Sequence, residues 1–273
     1  VAWCFKANGG TTSSNTDGSI TSTVQVNQEA GFSIVTWTST SSSSDTIGHG
    51  LNSKPDVVLY KKRSSTGSWF WYTDVIDGSW DELVLNDTSA KSDFAGTYAT
   101  STTFKSVTSS AGADWISYCF HSVEGFSKFG TYTGNGSTNG PIVETGFEPA
   151  FIMFKRTDGI AAWNITDNKR NLTNPRTSVL QGNATDQEYT SSSYAIDFLS
   201  NGFQIVNSDN GWNTSGSPYI YMAFAADPDT EAPTVAKSFS TVAYTGTGSA
   251  QTISALGFEP SLTWIKGRTN TAS

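Results

Sequence analysis

The chain has 273 residues, enough for two compact domains with pieces to spare. Its formal net charge of −8 argues against nucleic-acid binding, which relies on Lys and Arg neutralising phosphates, and no stretch approaches the roughly 20 apolar residues of a membrane helix. Aromatic residues make up 13% against 15% charged, in a background of Ser, Thr, Gly and Asn; that mixture suits short strands joined by polar turns.

In chain order, residues 1–7 read as a strand and residues 8–29 as a linker or long loop rich in Gly, Ser, Thr and Asn. Residues 32–38 alternate apolar and polar, the pattern of a half-buried strand. Residues 56–61 follow Pro55, contain the unbroken apolar run VVLY (57–60) with two β-branched valines, and predict a central strand. Further strands are expected at 69–73, 82–86, 103–107 and 115–121. The order then repeats at 126–133, 150–155, 162–166, 196–199, 203–206 and 219–224. Asn201-Gly202 between two apolar runs signals a hairpin. Residues 167–190 show no period and read as a long loop, and residues 227–233 (DPDTEAP) as a linker. No segment sustains a 3.6-residue period, so helix is expected to be minor.

The repetition is explicit. GFSKFGTYTGNGSTNGPIVETGFEPAFIMFKR (125–156) has an earlier copy, GFSIVTWTSTSSSSDTIGHGLNSKPDVVLYKKR (31–63). A later one is KSFSTVAYTGTGSAQTISALGFEPSLTWIKGR (237–268). Pro55, Pro149 and Pro260 mark the common position, roughly 100 residues apart, which is the size of a small domain rather than of a solenoid repeat. WISYCFH (115–121) and YIYMAFA (219–225) end two units, and the opening VAWCFK reads as the same ending. The expected organisation is the last strand of a preceding unit with a linker (1–30), unit one (31–124), unit two (125–228), and a linker with the start of unit three (229–273), a window on a longer protein. Short strands with turns between them predict an all-β fold of tandem β-sandwich or jelly-roll-like units, with a propeller as the alternative.

Catalytic chemistry finds little purchase. The close carboxylate pairs Asp81/Glu82, Asp186/Glu188 and Asp229/Glu231 sit among turn formers and read as solvated loop charges rather than the paired acids of a glycosidase. His49, in GHGL, stands where the other copies carry Thr145 and Leu256, which does not suit a general base, and His121 matches Lys6 and Ala225. No Ser/His/Asp constellation and no zinc-type spacing is present. Calcium could be held at Asp227/Asp229/Glu231 or at Asp209/Asn210, though without EF-hand spacing; no metal site and no cofactor is assigned. Cys4 and Cys119 occupy matching positions where unit two has Ala223, so both read as small core thiols. Lys62, Lys155 and Lys266 recur after the central strand as solvated strand ends. Gly134-Asn-Gly and Gly246-Thr-Gly read as tight turns, since no helix follows to make a phosphate loop.

The aromatics carry the candidate binding site. Aligning 69–72 (WFWY) with 162–165 (AWNI) matches Phe70 and Tyr72 to Trp163 and Ile165, a core face. It leaves Trp69 and Trp71 opposite Ala162 and Asn164, on a face the fold does not require. Trp69 and Trp71 are therefore candidates for stacking a sugar or packing a partner, and Trp80 and Trp212, in loops, are further candidates.

Taken together, GFSIVTWT, GHGLNSKPDVVLYKKRSSTGSW, YCFHSVEGFSKFGTYTGNGSTNGPIVETGFEPAFIMFKRTD, SSSYAIDFLSNGFQIVNSD and YIYMAFA cover nearly the whole chain. Together they resemble a repeat domain of uncharacterised tailed-phage proteins, marine phages above all, that often lies beside concanavalin A-like or laminin G-like domains in tail-fibre and virion-surface proteins. The resemblance implies a non-enzymatic structural or adhesive role at the virion surface. The implied partners are other virion proteins, further copies of the chain and a host-surface glycan. It supplies no catalytic residues. A carbohydrate-active enzyme such as a polysaccharide depolymerase, and a lectin-like module outside any virion, are the alternative expectations.

Overall fold

The structure, a computed structural model, describes residues 1–108, 110–225, 238–254 and 256–269. β-Strands dominate and helix is almost absent, as alternating and β-branched stretches without a helical period dictate. The chain divides into an amino-terminal unit, Ala7–Val123, and a carboxy-terminal unit that combines Glu124–Ser273 with Val1–Lys6.

Strand β1 (Ala2–Phe5) belongs to the carboxy-terminal unit. The amino-terminal unit comprises β2 (Ser13–Asn15), β3 (Ser22–Asn27), β4 (Phe32–Thr38), β5 (Thr46–Gly48), β6 (Val57–Lys62), β7 (Trp69–Thr73), β8 (Asp81–Val84), β9 (Ser92–Asp93), β10 (Thr103–Lys105) and β11 (Asp114–Phe120). Eight of them form an antiparallel sheet ordered β2-β3-β4-β11-β6-β7-β8-β9, while β5 pairs with β10. Residues 8–29 are thus not a linker: β2 and β3 form a hairpin on the sheet edge, with Val24 opposite Val35. Because side chains alternate faces, Val35, Trp37, Val58, Tyr60, Tyr72 and Cys119 all point to one side. There they pack on Ile47 of β5 and Phe104 of β10 in a single core cluster.

The carboxy-terminal unit continues with β12 (Ser127–Thr133), β13 (Ile142–Glu144), β14 (Pro149–Arg156), β15 (Asn164–Asp167), β16 (Ser178–Gln181), β17 (Tyr189–Thr190), β18 (Ile196–Leu199), β19 (Gly202–Ile205), β20 (Pro218–Ala225), β21 (Phe239–Val242) and β22 (Leu262–Ile265). A one-turn 3-10 helix, Ser192–Tyr194, and α1 (Asn210–Asn213) are the helical pieces among the described residues. Residues 167–190 hold β16 and β17 rather than one long loop; the two strands are too short, four and two residues, to show a period, although Val179 and Leu180 of β16 are buried. The linker expected at 227–233 lies outside the described residues. The hairpin at Asn201-Gly202 forms: a Cβ on Gly202 would lie 2.0 Å from the Val143 carbonyl oxygen, so only glycine allows β13 to approach β19.

The two units share a common strand order, to which β2 and β3 in one and β18 in the other are additions. The order β4-β11-β6-β7-β8-β9 has its counterpart in β12-β20-β14-β15-β16-β17, and the pair β5-β10 in β13-β19. In each, the last strand of the unit inserts between its first strand and its central strand. A third sheet, β21-β1-β22, has the same plan. Cys119 faces Ser33 and Val58, and Cys4 faces Ser240 and Thr263 in the same register. Strand β1 therefore stands between β21 and β22 as β11 stands between β4 and β6.

Within the carboxy-terminal unit the six-stranded sheet is covered on both faces. Ile152 and Phe154 join Val143, Ile196, Phe203 and Ile205 in one cluster. On the opposite face Phe151 meets Trp3 at 5.5 Å and Phe239 at 5.8 Å, and Phe224 meets Phe5 at 5.1 Å. Double-sided burial explains the unbroken apolar run of β14. Each fully buried large side chain of this kind contributes about 1.5–3 kcal/mol relative to exposure.

Candidate functional site

Strand pairing fixes which aromatic positions correspond. Phe70 lies opposite Tyr60, and Asn164 opposite Phe154, where Tyr60 and Phe154 are equivalent residues of the central strands. Trp69 is therefore the counterpart of Trp163, and Trp71 of Ile165. The loops agree: Asn86 Oδ1 accepts from the Trp69 amide at 2.7 Å, and Asn183 Oδ1 from the Trp163 amide at 2.7 Å. The sequence alignment of 69–72 with 162–165 is one residue out of step, and a one-residue slip exchanges the two faces of a strand. Both faces of β7 are used by the fold, so the face carrying Trp69 and Trp71 is not dispensable.

Burial sorts the four tryptophans. Trp71 is 0% exposed. Trp80 is buried in the core against Tyr98, centroids 5.5 Å apart, and Trp212 is buried against Phe154 at 4.6 Å. Trp212 lies on α1 rather than in a loop, and Trp80 directly precedes β8; both rings turn inward onto a core cluster. These three offer no ring face to a ligand. Trp69 alone is partly open. It stacks on Tyr118, centroids 6.2 Å apart, with the Lys61 ammonium 5.6 Å from its ring.

Trp69 ends a row of side chains across one face of the sheet. Thr23 lies opposite Thr36, Thr36 opposite Ile116, Ile116 opposite Lys61, and Lys61 opposite Trp69. Beside the row is an open cleft of about 250 Å³ lined by Thr21, Thr23, Thr36, Trp37, Thr38, Arg63 and Asp114. Thr38 Oγ1 donates to Asp114 Oδ1 at 2.8 Å, and the Arg63 amide donates to the Asp114 carbonyl at 2.8 Å. Burial pushes the Tyr118 phenol above its ordinary pKa, with the Arg63 charge pulling the other way. Hydroxyls, a carboxylate and two cations thus share a face with two stacked rings. The equivalent positions in the carboxy-terminal unit, Ile220, Lys155, Trp163 and Met222, are all enclosed, none more than 2% exposed.

The lysines need the same correction of step. Lys61, not Lys62, is the partner of Lys155 and Lys266: Lys61 faces Ile116 as Lys155 faces Ile220. They are latches rather than solvated ends. Lys61 Nζ donates to the Gly67 carbonyl, Lys155 Nζ to that of Ala161, and Lys266 Nζ to that of Ala184 at 2.6 Å; Lys155 is wholly buried.

The acidic residues are already engaged. Asp81 and Glu82 are neighbours on β8 and point to opposite faces: Asp81 is buried, and Glu82 accepts from the Tyr72 hydroxyl. Glu188 holds both Arg170, at 2.9 Å, and Arg268, at 2.7 Å, while Asp186 accepts from Tyr189 at 2.9 Å. Asp209 caps α1 through the Gly211 amide at 2.7 Å. Asp229/Glu231 and Asp227/Asp229/Glu231 lie outside the described residues. Asp77, Asp81 and Asp93 bring carboxylate oxygens within 4.8 Å of one another, a donor set that sequence spacing did not reveal. Lys91 Nζ occupies their midst at 2.9, 2.6 and 2.7 Å. Hydrogen bonds from Ser79 and Lys91 hold Asp77 at about 2, whereas burial pushes Asp81 up. The ammonium already supplies the cation these carboxylates need.

His49 is fully buried. Its Nδ1 accepts from the Leu51 amide at 3.1 Å, which leaves the proton on Nε2, 3.3 Å from the Thr100 carbonyl it faces. Thr145 does the same work in the other unit, where its Oγ1 accepts from the Phe147 amide. Gly50 (φ +74°) and Gly146 (φ +91°) make the turn in between. A turn acceptor tolerates a His-for-Thr exchange; a catalytic base does not. Cys4 and Cys119 are free thiols in buried positions, and burial pushes Cys119 up to about 12.

The profile of the family described as "Domain of unknown function (DUF7483)" matches residues 1–228 and 234–273. Neither a curated protein nor a solved structure matches the chain.

Proposed function

We propose that this chain, which belongs to the DUF7483 family, is a structural and adhesive module of a tailed-phage virion-surface fibre. Its tandem units are β-sandwiches, and its amino-terminal unit carries a glycan-binding face. The observation behind this reading is the contrast between equivalent faces. Lys155, Trp163, Ile220 and Met222 are enclosed, while Lys61, Trp69, Ile116 and Tyr118 remain partly open beside a hydroxyl-rich cleft. Stacked rings, Thr hydroxyls, Asp114 and Arg63 are the groups that hold a sugar, by its apolar face and its hydroxyls. The repeated strand order fits a rigid spacer, and the engaged carboxylates fit a non-enzymatic role.

A glycan array tests the adhesive part. Reproducible hits that fall at least tenfold with Trp69→Ala and with Asp114→Ala, while the far-ultraviolet spectrum is unchanged, support it. Hits that survive both substitutions, or silence from the parent protein, refute it. The virion part is tested by mass spectrometry of purified tailed-phage particles that encode the sequence: its peptides must be present in the intact particle.

A further inference from the structure

The third sheet is assembled from segments that are distant in the chain. The Val1 amine donates to the Lys266 carbonyl, 265 positions away, at 2.9 Å, and the Lys266 amide returns the bond to Val1 at 2.9 Å. At the other end of β1, the Lys6 amide reaches Ser238 and the Ser261 amide reaches Phe5, each at 2.8 Å. Strands β21 and β22 do not pair with each other; β1 lies between them and makes both ladders. It is also the apolar plug of the sheet: Ala2, Trp3, Cys4 and Phe5 are all at most 5% exposed, and Trp3 meets Trp264 at 5.8 Å.

In the other two sheets the inserted strand follows its partners along the chain. Here it precedes them. The contacts, however, are those of the general plan, with Cys4 between Ser240 and Thr263 as Cys119 is between Ser33 and Val58. Every one of these contacts is local to β1, β21 and β22 and to the face of the six-stranded sheet beneath them. None depends on which molecule supplies β1.

We propose that the gap between β21 and β22 is a strand-acceptor site, and that its partner in an assembly is β1 of a second copy of this chain. Exchange of an identical element keeps every contact and changes only connectivity. The balance between the closed single copy and the exchanged form is then set by the effective concentration of the chain's own β1 against the protein concentration. Each copy both offers a β1 and accepts one between β21 and β22. Exchange is then either reciprocal between two copies or continued from copy to copy.

Facing residues of antiparallel strands lie close enough for a disulfide, which gives a direct test. An acceptor copy carries Cys4→Ala, Cys119→Ala and Ser240→Cys. A donor copy carries only Cys119→Ala and keeps Cys4. The two are mixed in denaturant, refolded together across a range of protein concentrations, oxidised, and run on a non-reducing gel. A cis control carries Cys119→Ala and Ser240→Cys in one chain. The expected result is an acceptor–donor disulfide dimer, whose yield rises at least tenfold with concentration and which is absent when the acceptor cysteine is instead placed at exposed Thr245. A cis control that oxidises while the mixture stays monomeric overturns the proposal. So does a cis control that fails to oxidise, because the register itself is then wrong, or an equal yield from Thr245→Cys.

Discussion

Acidification should unfold the amino-terminal unit partly through His49. Burial depresses its pKa from 6.5 to about 4, opposed by the hydrogen bond with the Thr100 carbonyl and by the charge of Asp17, and assisted by His121. The unfolded chain therefore binds a proton that the folded one refuses between those two values. Stability from the neutral imidazole is complete above pH 6.5 and is lost as pH falls towards 4. The full difference of about 2.5 pK units corresponds to about 3.4 kcal/mol. About 1.4 kcal/mol of it has gone by pH 5.5 and about 2.5 kcal/mol by pH 4.5. Replacing His49 by Thr, the residue that makes the same turn at position 145, removes the titrating group while keeping an acceptor for the Leu51 amide. Urea midpoints of both proteins are measured from pH 7.5 to 4.5, with hydrogen exchange of β5 and β10 reporting on the unit. The carboxylates common to both cancel in the difference. The wild type should lose about 1 M or more in midpoint relative to His49→Thr over that range, given slopes of about 1–3 kcal/mol per M. A difference that stays constant with pH would refute the assignment of a neutral, buried imidazole.

Trp163→Ala should cost about 3–5 kcal/mol, the range for emptying an enclosed aromatic site, and Trp69→Ala markedly less, because its ring is already partly open; denaturant unfolding that ranks them the other way contradicts the correspondence drawn between them. Gly202→Ala should destabilise the β18-β19 hairpin by about 2–4 kcal/mol, since the new methyl meets the Val143 carbonyl. Accelerated amide exchange confined first to β13, β18 and β19 is the expected signature, and unchanged exchange there counts against it.

The repeat was legible because its markers are singular: a proline at the head of each central strand, a Phe-Ser start, an aromatic ending. Their positions carry over directly to β4, β6 and β11 and to their counterparts. What failed was fine alignment where the copies diverge. WFWY and AWNI can be overlaid in two ways, and only the paired partners Tyr60 and Phe154 decide between them. The amide-capping asparagines Asn86 and Asn183 were the available signal, but they lie too far along the chain to anchor a four-residue match. Strands β2 and β17 escaped because they are only three and two residues long and sit at sheet edges, and β3 and β16 because each carries just two apolar residues, Val24 and Val26 or Val179 and Leu180, within a stretch rich in Ser, Thr, Asn and Gln. The Asp77–Lys91 cluster was invisible for a different reason: its members meet only when β9 folds back beside β8.

Strand β14 has one more consequence. A segment that is oily on both sides offers no inside-versus-outside contrast to fix where it sits against its neighbours, and sliding it along by one step would trade one greasy set for another. Its alignment has to come from features that occur once. The irregularity between Pro149 and Phe151 is one, and the buried amine of Lys155, which must end at the Ala161 carbonyl, is the other. In this strand the phenylalanines supply cohesion, while a single irregularity and a single buried charge decide position.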